Sequence, residues 1–370
     1  MGKVIPFAAA QVLELEQDQN LQKITISLQQ VQKKYVLSRK QVLILNSLIL
    51  FSLTLMQSVD EMHPEFALIR LLYTDSSSNI EKLKCFFIGY FGQIVNLPEE
   101  IQDLFYNQKI TYERHVLNNL DIQLLFKQNS GKKLTKVFHE PEAKIEEIEY
   151  PFCTQVDFAN EYIGGGALGY GNVQEEIAFT VHPECYISQL LFQKMKKNEA
   201  ISFQGTYRYA NYIGYGFTFT FKQENDLVKL IKTMQSPFQM VGIDAMDFRM
   251  SDPAQQFNQK YFQREIMKSF TGFSAGISQN GKQGPVVTGN WGCGIFAGDV
   301  QLKFFIQWMS CTLNNRDIIY CSFWNELIVD KIEKVVKKVQ NYTIQQIYQM
   351  ISLYNLSGKQ QQLFDFILEQ

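Results

Sequence analysis

The sequence predicts an α/β protein, with a three-layer mixed sheet over residues 131–370 and an all-helical accessory domain over residues 1–130. Three observations carry that reading. From about residue 140, short apolar runs of strand length alternate with helical stretches, the grammar of a layered sheet. Two glycine-rich segments each follow such a run directly, where open α/β sheets put their ligand loops. Before residue 130 the apolar spacing is helical, and Gln128-Asn129-Ser130-Gly131-Lys132-Lys133 supplies turn residues for a boundary.

Taken in order, Gln11 to Tyr35 has amphipathic spacing, and Ser38 is placed to cap a helix carrying the apolar run Val42 to Met56. That run includes Asn46, Ser47, Ser52 and Thr54 and falls short of the roughly twenty apolar residues of a membrane span, so it predicts a buried helix. Asp75 to Asn79 predicts a loop, and Leu97-Pro98-Glu99-Glu100 a helix start. No clustered chemistry shows in this half. Beyond the boundary the expected strands are Thr154–Phe158, Ile201–Tyr207, Phe217–Phe221, Met240–Ala245, Val286–Thr288 and Ile318–Phe323. The expected helices are Gln174–Phe179, Pro183–Lys196, Pro253–Phe270, Asp299–Thr312 and Asn325–Val339, with further helix after Tyr342.

Composition narrows the class. A chain of 370 residues, 46% hydrophobic and 19% charged, can bury a sizeable core. Its formal net charge of −2 lacks the basic footprint of a nucleic-acid coat, so no direct DNA binding is expected. The six cysteines are scattered without a C-x-x-C pair, which indicates neither a disulfide framework nor a zinc site and suits a reducing compartment. Only Lys3 leads the first apolar residues and Pro6 stands where myristoylation wants Ser or Thr, so neither a signal peptide nor a lipid anchor is expected.

The chemistry concentrates in one stretch. Gln155-Val156-Asp157-Phe158-Ala159-Asn160 leads to Gly164-Gly165-Gly166, and seven residues later comes Gln174-Glu175-Glu176. Consecutive glycines let backbone N–H groups approach an anion, and two acids at a helix start can serve proton transfer. Paired glutamates in a first turn also suit the helix dipole alone. Neighbouring side chains there diverge by about 100°, so the two cannot flank one bond as an acid and nucleophile, and one must dominate.

GGG-x7-QEE preceded by VDFAN resembles the signature of the poly(ADP-ribose) glycohydrolases, and Thr288-Gly289-Asn290-Trp291-Gly292-Cys293-Gly294 resembles their second signature. Ser38-Arg39-Lys40-Gln41-Val42 resembles their helical accessory domain. The resemblance implies a macrodomain-like fold and hydrolysis of the ribose–ribose O-glycosidic bonds of poly(ADP-ribose), without a metal or other cofactor. It implies Glu176 as general acid/base, Glu175 on ribose hydroxyls and Asp157 in the catalytic site. Asn160 and Gln174 would bind ribose or adenine-side groups, and Gly164, Gly165 and Gly166 would take the phosphates. Asn290, Trp291, Gly292, Cys293, Gly294 and Ile295 would form a second diphosphate cradle, with Phe296 beside the terminal ribose. Tyr215 would contact adenine, with Tyr212 second, and Ile145-Glu146 would supply another adenine contact, Glu147 remaining an alternative. Met246-Asp247-Phe248-Arg249 also resembles the family and is read as structural.

Further expectations are a monomer, nuclear or cytoplasmic, active in the DNA damage response on polymer free or attached to proteins. Cys293 has no basic neighbour, and His139 and His182 show no triad grammar, which argues against a thiol nucleophile. Two rival readings stand beside hydrolysis of the polymer. One is a macrodomain reader that binds ADP-ribose without turnover; the other is a hydrolase of broader nucleotide-sugar scope.

Overall fold

The computed structural model describes residues 2–53, 68, 71, 76–233, 238–276, 278, 279, 282–358 and 361–370. The chain forms two compact units: Met1–Arg114 with Ala159–Lys196 and Ile201–Phe238, and His115–Phe158 with Lys197–Ala200 and Gln239–Gln370.

The strand order of the mixed eight-stranded sheet is Lys33–Ser38, Lys109–Val116, Glu199–Gln204, Gln239–Gly242, Thr154–Asp157, Val286–Gly289, Ile318–Cys321 and Val137–Glu140. In the first unit Lys33–Ser38 pairs antiparallel with Lys109–Val116, Tyr35 opposite Tyr112. In the second, Thr154–Asp157 lies parallel between Gln239–Gly242 and Val286–Gly289, and Ile318–Cys321 runs parallel to Val286–Gly289 and Val137–Glu140. These central strands are buried throughout, as parallel strands covered on both faces must be.

In the first unit, Ser38 caps Arg39–Leu50 with a capping box in which Gln41 answers it. The helix buries Val42, Leu43, Ile44, Ile49 and Leu50, and the part of the expected run from Thr54 to Met56 lies outside the described residues. Arg39 is buried in an ion pair with Glu184 and stacks its guanidinium 3.7 Å from the Tyr207 ring centre. Glu99–Asn107 starts where the Leu97-Pro98 signal put it.

The second unit's core lies between helices Gln259–Ser274 and Val300–Leu313 and the parallel strands, with Phe262, Ile266, Phe273, Phe304, Phe305 and Trp308 inside it. Asp299 accepts from the Leu302 N–H at 2.8 Å and so starts the second of these helices. Ser269 Oγ and Ser310 Oγ meet at 2.6 Å between the two helices.

Several expectations fail for identifiable reasons. Gln11 to Tyr35 is not one helix: Val4–Glu14 is helical and Tyr35 lies in a strand. The N-terminal region is therefore helical with two strands added, because Tyr35, Leu37, Ile110 and Tyr112 alternate with exposed or half-buried residues and bury one face. Ser77–Lys84 is helix rather than loop and continues as a π-helix over Cys85–Gly92, while Asp75 lies outside the described residues. Pro183–Lys196 is a 3₁₀ turn and one α turn, and Asn325–Val339 is helical only from Ile332. The strand expected at Phe217–Phe221 begins at Thr220, and Val137–Glu140 and Ala210–Ile213 are strands that short length hid. Among the described residues no helix is long and apolar enough to cross a membrane.

Candidate active site

In the first unit the chain from Asn160 turns back on itself and enters helix Gln174–Val181. The Gly165 N–H donates to Tyr162 O at 3.0 Å, and the Ala167 N–H to Gly164 O at 2.9 Å. The N–H groups of Gly169 and Gly171 both return to Gly166 O, at 2.8 and 3.1 Å. The two glutamates at the helix start fill what remains. Glu175 takes the N–H of Asn160 on Oε2 at 2.8 Å and that of Gly164 on Oε1 at 2.6 Å. Glu176 takes the N–H of Gly166 on Oε1 at 3.1 Å and that of Val173 on Oε2 at 3.0 Å.

This corrects the expected working of the glycine loop. The N–H groups of Gly164, Gly165 and Gly166 are committed to Glu175, Tyr162 and Glu176, so the anions this loop approaches are its own two carboxylates. A Cβ on Gly165, whose φ is +45°, would stand 2.6 Å from Glu175 Oε2 and 2.6 Å from Glu176 Oε1. The expected divergence of the two side chains is corrected as well, because both carboxylates close on that single glycine. They remain unequal: Glu175 has the shorter bonds and is 3% exposed, Glu176 the longer bonds and 7%.

Asn160 Oδ1 accepts from the Tyr162 N–H at 3.0 Å and so shapes the entry turn. The Gln174 N–H donates to the Tyr215 hydroxyl at 3.1 Å. Tyr215 is 43% exposed at the tip of the hairpin Ala210–Ile213 and Thr220–Glu224, and Asn172 Nδ2 donates to Gly216 O in the same turn. Tyr212 is corrected: it is 6% exposed, tilted against Phe219 at 5.2 Å and packed with Cys85, Ile177 and Val181, so it has no face for a base.

Sequence reasoning missed Lys82, on helix Ser77–Lys84. It is buried and donates to Gly169 O at 3.1 Å and to Gly171 O. Burial pushes its ammonium down to about 8, while the charge of Glu176 acts the other way. Its acceptors lie more than eighty residues away, and no local pattern marks it.

In the second unit Asp157 is fully buried at the end of its strand, paired with Gly242 rather than placed in a turn. Ile145 is buried against Val287, Ile319 and Cys321, so its side chain belongs to the core. Glu147 turns back to the Lys144 N–H at 3.1 Å, whereas Glu146 is half-buried.

The loop after Val286–Gly289 is held from both ends. Asn290 Oδ1 accepts from the Tyr320 hydroxyl at 3.1 Å and its Nδ2 donates to Ser322 O at 2.8 Å, so this side chain braces the loop. Trp291 is corrected too: it is completely buried, donates through Nε1 to Ile243 O at 2.9 Å, and has Lys303 Nζ 3.9 Å from its ring centre. Its side chain anchors the loop. Lys303 pairs with Glu265, which Arg264 also reaches at 2.5 Å, and Lys268 pairs with Asp244 at 2.5 Å. The Cys293 thiol donates to Trp291 O at 3.4 Å and burial pushes it well up, which disfavours a thiolate there.

Among the described residues, the backbone N–H groups of Gly294, Ile295 and Phe296 have no hydrogen-bond acceptor, while Gly294 and Ile295 are exposed. Three free donors in a row suit an anion, as the three engaged glycines of the first loop do not. Among the described residues no cluster of three His, Cys, Asp or Glu side chains is arranged to hold a metal ion.

Comparison with known proteins returns one family. Residues 125–330 match the description "Poly (ADP-ribose) glycohydrolase (PARG), Macro domain fold", and residues 1–136 match its "helical domain". The chain is 34% identical over 313 residues to poly(ADP-ribose) glycohydrolase 1 of Caenorhabditis elegans, covering 81% of this chain and 38% of that protein. It is 30% identical over 322 residues to poly(ADP-ribose) glycohydrolase 2 of the same organism, covering 82% and 63%. It thus spans less than two thirds of either relative. A crystal structure of poly(ADP-ribose) glycohydrolase from Thermomonospora curvata aligns at 12% identity and a TM-score of 0.36, over 57% of this chain and 80% of that one.

Proposed function

The chain belongs to the poly(ADP-ribose) glycohydrolase family, and on that premise we propose that it hydrolyses the ribose–ribose O-glycosidic bonds of poly(ADP-ribose) and releases ADP-ribose. The observation that carries the reading is Glu176: a buried carboxyl at a helix start, held by the N–H groups of Gly166 and Val173.

Glu176 donates its proton to the leaving ribose oxygen as the glycosidic C–O bond breaks, which leaves oxocarbenium-like character on the anomeric carbon. The resulting carboxylate then takes a proton from the water that attacks that carbon, and the acid is restored. Glu175 accepts hydrogen bonds from ribose hydroxyls, and Asp157 stays in the catalytic set. The free N–H groups of Gly294, Ile295 and Phe296 are the donors offered to diphosphate, with Gly292 and Cys293 shaping that loop. Tyr215 and Glu146 are the adenine contacts, and Asn160 and Gln174 stay in the set as ribose-side groups.

The proposed division is a helical accessory domain over 1–130 and a catalytic domain over 131–370. The polymer is taken free or attached to proteins, by a monomer in the nucleus or cytoplasm.

Glu176→Gln keeps shape and removes the proton. Release of ADP-ribose from defined polymer, followed chromatographically, should fall by roughly 10² to 10⁴, while calorimetry finds ADP-ribose still bound. Turnover at the wild-type rate would put the acid elsewhere. A wild-type protein that bound ADP-ribose and cleaved nothing would be a reader.

A further inference from the structure

Lys82 is 1% exposed, and the ammonium it buries is held by two carbonyls, Gly169 O at 3.1 Å and Gly171 O. These belong to the turn that closes on Glu176. The Gly171 N–H returns to Gly166 O at 3.1 Å, and the Gly166 N–H goes on to Glu176 Oε1 at 3.1 Å. A Cβ on Gly171 would stand 2.6 Å from the Glu176 carboxyl carbon. The turn is therefore one wall of the space that Glu176 occupies, and Lys82 is the cation fastening it. A buried ammonium held by neutral carbonyls is costly, and the charge that favours it is that of Glu176 in its carboxylate form, the state left once the proton has been given.

We propose that Lys82 is a positioning residue for the acid: by clamping the 169–171 turn against Glu176, a helix of the N-terminal region fixes where the proton donor stands. This rests on the reading of Glu176 as the acid. The chemical role is indirect, since Lys82 reaches the reaction only through the turn. Its clamp needs the protonated amine, because a neutral amine has lost the charge that draws both carbonyls.

That requirement makes the role visible in pH. Burial pushes Lys82 down to about 8, so the clamp weakens as pH rises through that value. The ionisable groups on the elements around it are Glu176, then Glu81 and Lys84 on its own helix, Cys85 and Tyr90 on the π-helix, and Lys222 and Glu224 on Thr220–Glu224. Burial pushes the Cys85 thiol and the Tyr90 phenol up, away from this range.

The test compares Lys82→Met, Lys82→Arg and the exposed control Lys84→Met in the whole chain, reading kcat and KM on polymer, ADP-ribose affinity by calorimetry, and melting. In folded Lys82→Met, kcat should fall about a hundredfold with ADP-ribose affinity kept within about threefold, the split a misplaced acid produces. Lys82→Arg keeps a cation that does not titrate, so the wild-type fall in kcat near pH 8 should disappear from a profile taken between about pH 6.5 and 9.5. A folded Lys82→Met with wild-type kcat overturns the proposal, as does a parallel loss of affinity and turnover, which marks a fold staple. If Lys82→Met does not fold, the profiles decide: a flat wild-type kcat, or a fall unchanged in Lys82→Arg, overturns it. Glu176→Gln separates the two readings, since an active Glu176→Gln removes the acid itself, whereas an inactive one beside a normal Lys82→Met removes only the clamp.

Discussion

Glu175 and Glu176 stand next to each other in the chain yet hold opposite halves of one loop: Glu175 binds the N–H groups of Asn160 and Gly164, and Glu176 those of Gly166 and Val173. The same conservative change at each should therefore give different losses. In Glu175→Gln one carboxylate oxygen becomes an NH₂ that faces a backbone N–H, and leaving a buried donor unpaired costs about 1–3 kcal/mol. ADP-ribose affinity, turnover and melting temperature should all fall. In Glu176→Gln the longer bonds give way more easily, and turnover should fall alone. Equal losses of affinity in the two variants would show that the division of labour is wrong.

Gly165 separates the two carboxylates, and its φ of +45° strains any side chain even before the overlap with both acids is counted. Gly165→Ala should abolish turnover although it adds one methyl, since left-handed backbone costs an L-residue roughly 1–2 kcal/mol and the Cβ must displace one glutamate. Gly131→Ala, where nothing stands near the added Cβ, is the control. A crystal structure of Gly165→Ala with both carboxylates undisplaced and turnover intact would contradict this.

What was legible in the sequence was what local chemistry decides. Ser38 and Asp299 announce their helices because a cap and its partner lie within three residues of one another. The glycine run and the paired acids stand out together in the sequence, and the structure joins them, since the acids take the N–H groups of Gly164 and Gly166. Tyr35 and Tyr112 were not legible, since a six-residue alternation among helical spacings is too short to read as a strand. Lys82 was invisible for a deeper reason: its acceptors are backbone carbonyls, which leave no mark in side-chain identity. Trp291 sits inside a recognisable motif, yet a motif does not say which member offers its backbone and which fills the core.

His182 sets an acid limit on the first unit. Its ring is buried, stacks on Phe238 at 4.6 Å and donates from Nδ1 to Ala178 O at 2.9 Å, and burial pushes it down to about 3. The folded value lies below the unfolded one of 6.5, so its contribution is complete above pH 6.5 and is lost as pH falls toward 3. At 1.36 kcal/mol per unit, the loss between pH 7 and 4 is on the order of 3 kcal/mol. Urea unfolding of wild type and His182→Gln at both pH values should show the wild type losing more on acidification, by about that amount. Parallel pH dependence in the two would mean that the imidazole is charged in the folded protein or that the ring is accessible.

Tyr215 combines one observed role with one proposed role, and the two separate by substitution. Its ring is exposed at the hairpin tip, available to stack on a base, and its hydroxyl accepts from the N–H of Gln174 at the start of the helix that carries both glutamates. Stacking is worth roughly 1–3 kcal/mol, so Tyr215→Ala should weaken ADP-ribose binding by about five- to a hundredfold. Tyr215→Phe keeps the ring but leaves the Gln174 N–H to water, which at this half-exposed position costs about 1 kcal/mol or less. Affinity in Tyr215→Phe should stay close to wild type, and any loss should fall on kcat, because what has loosened is the helix start beneath Glu175 and Glu176. Saturation curves on short polymer for both variants, with Tyr212→Phe as a control for the buried neighbour, decide the matter. If Tyr215→Ala left ADP-ribose affinity untouched and altered only kcat, the ring would not be an adenine platform, and the tyrosine would serve solely to hold the helix start.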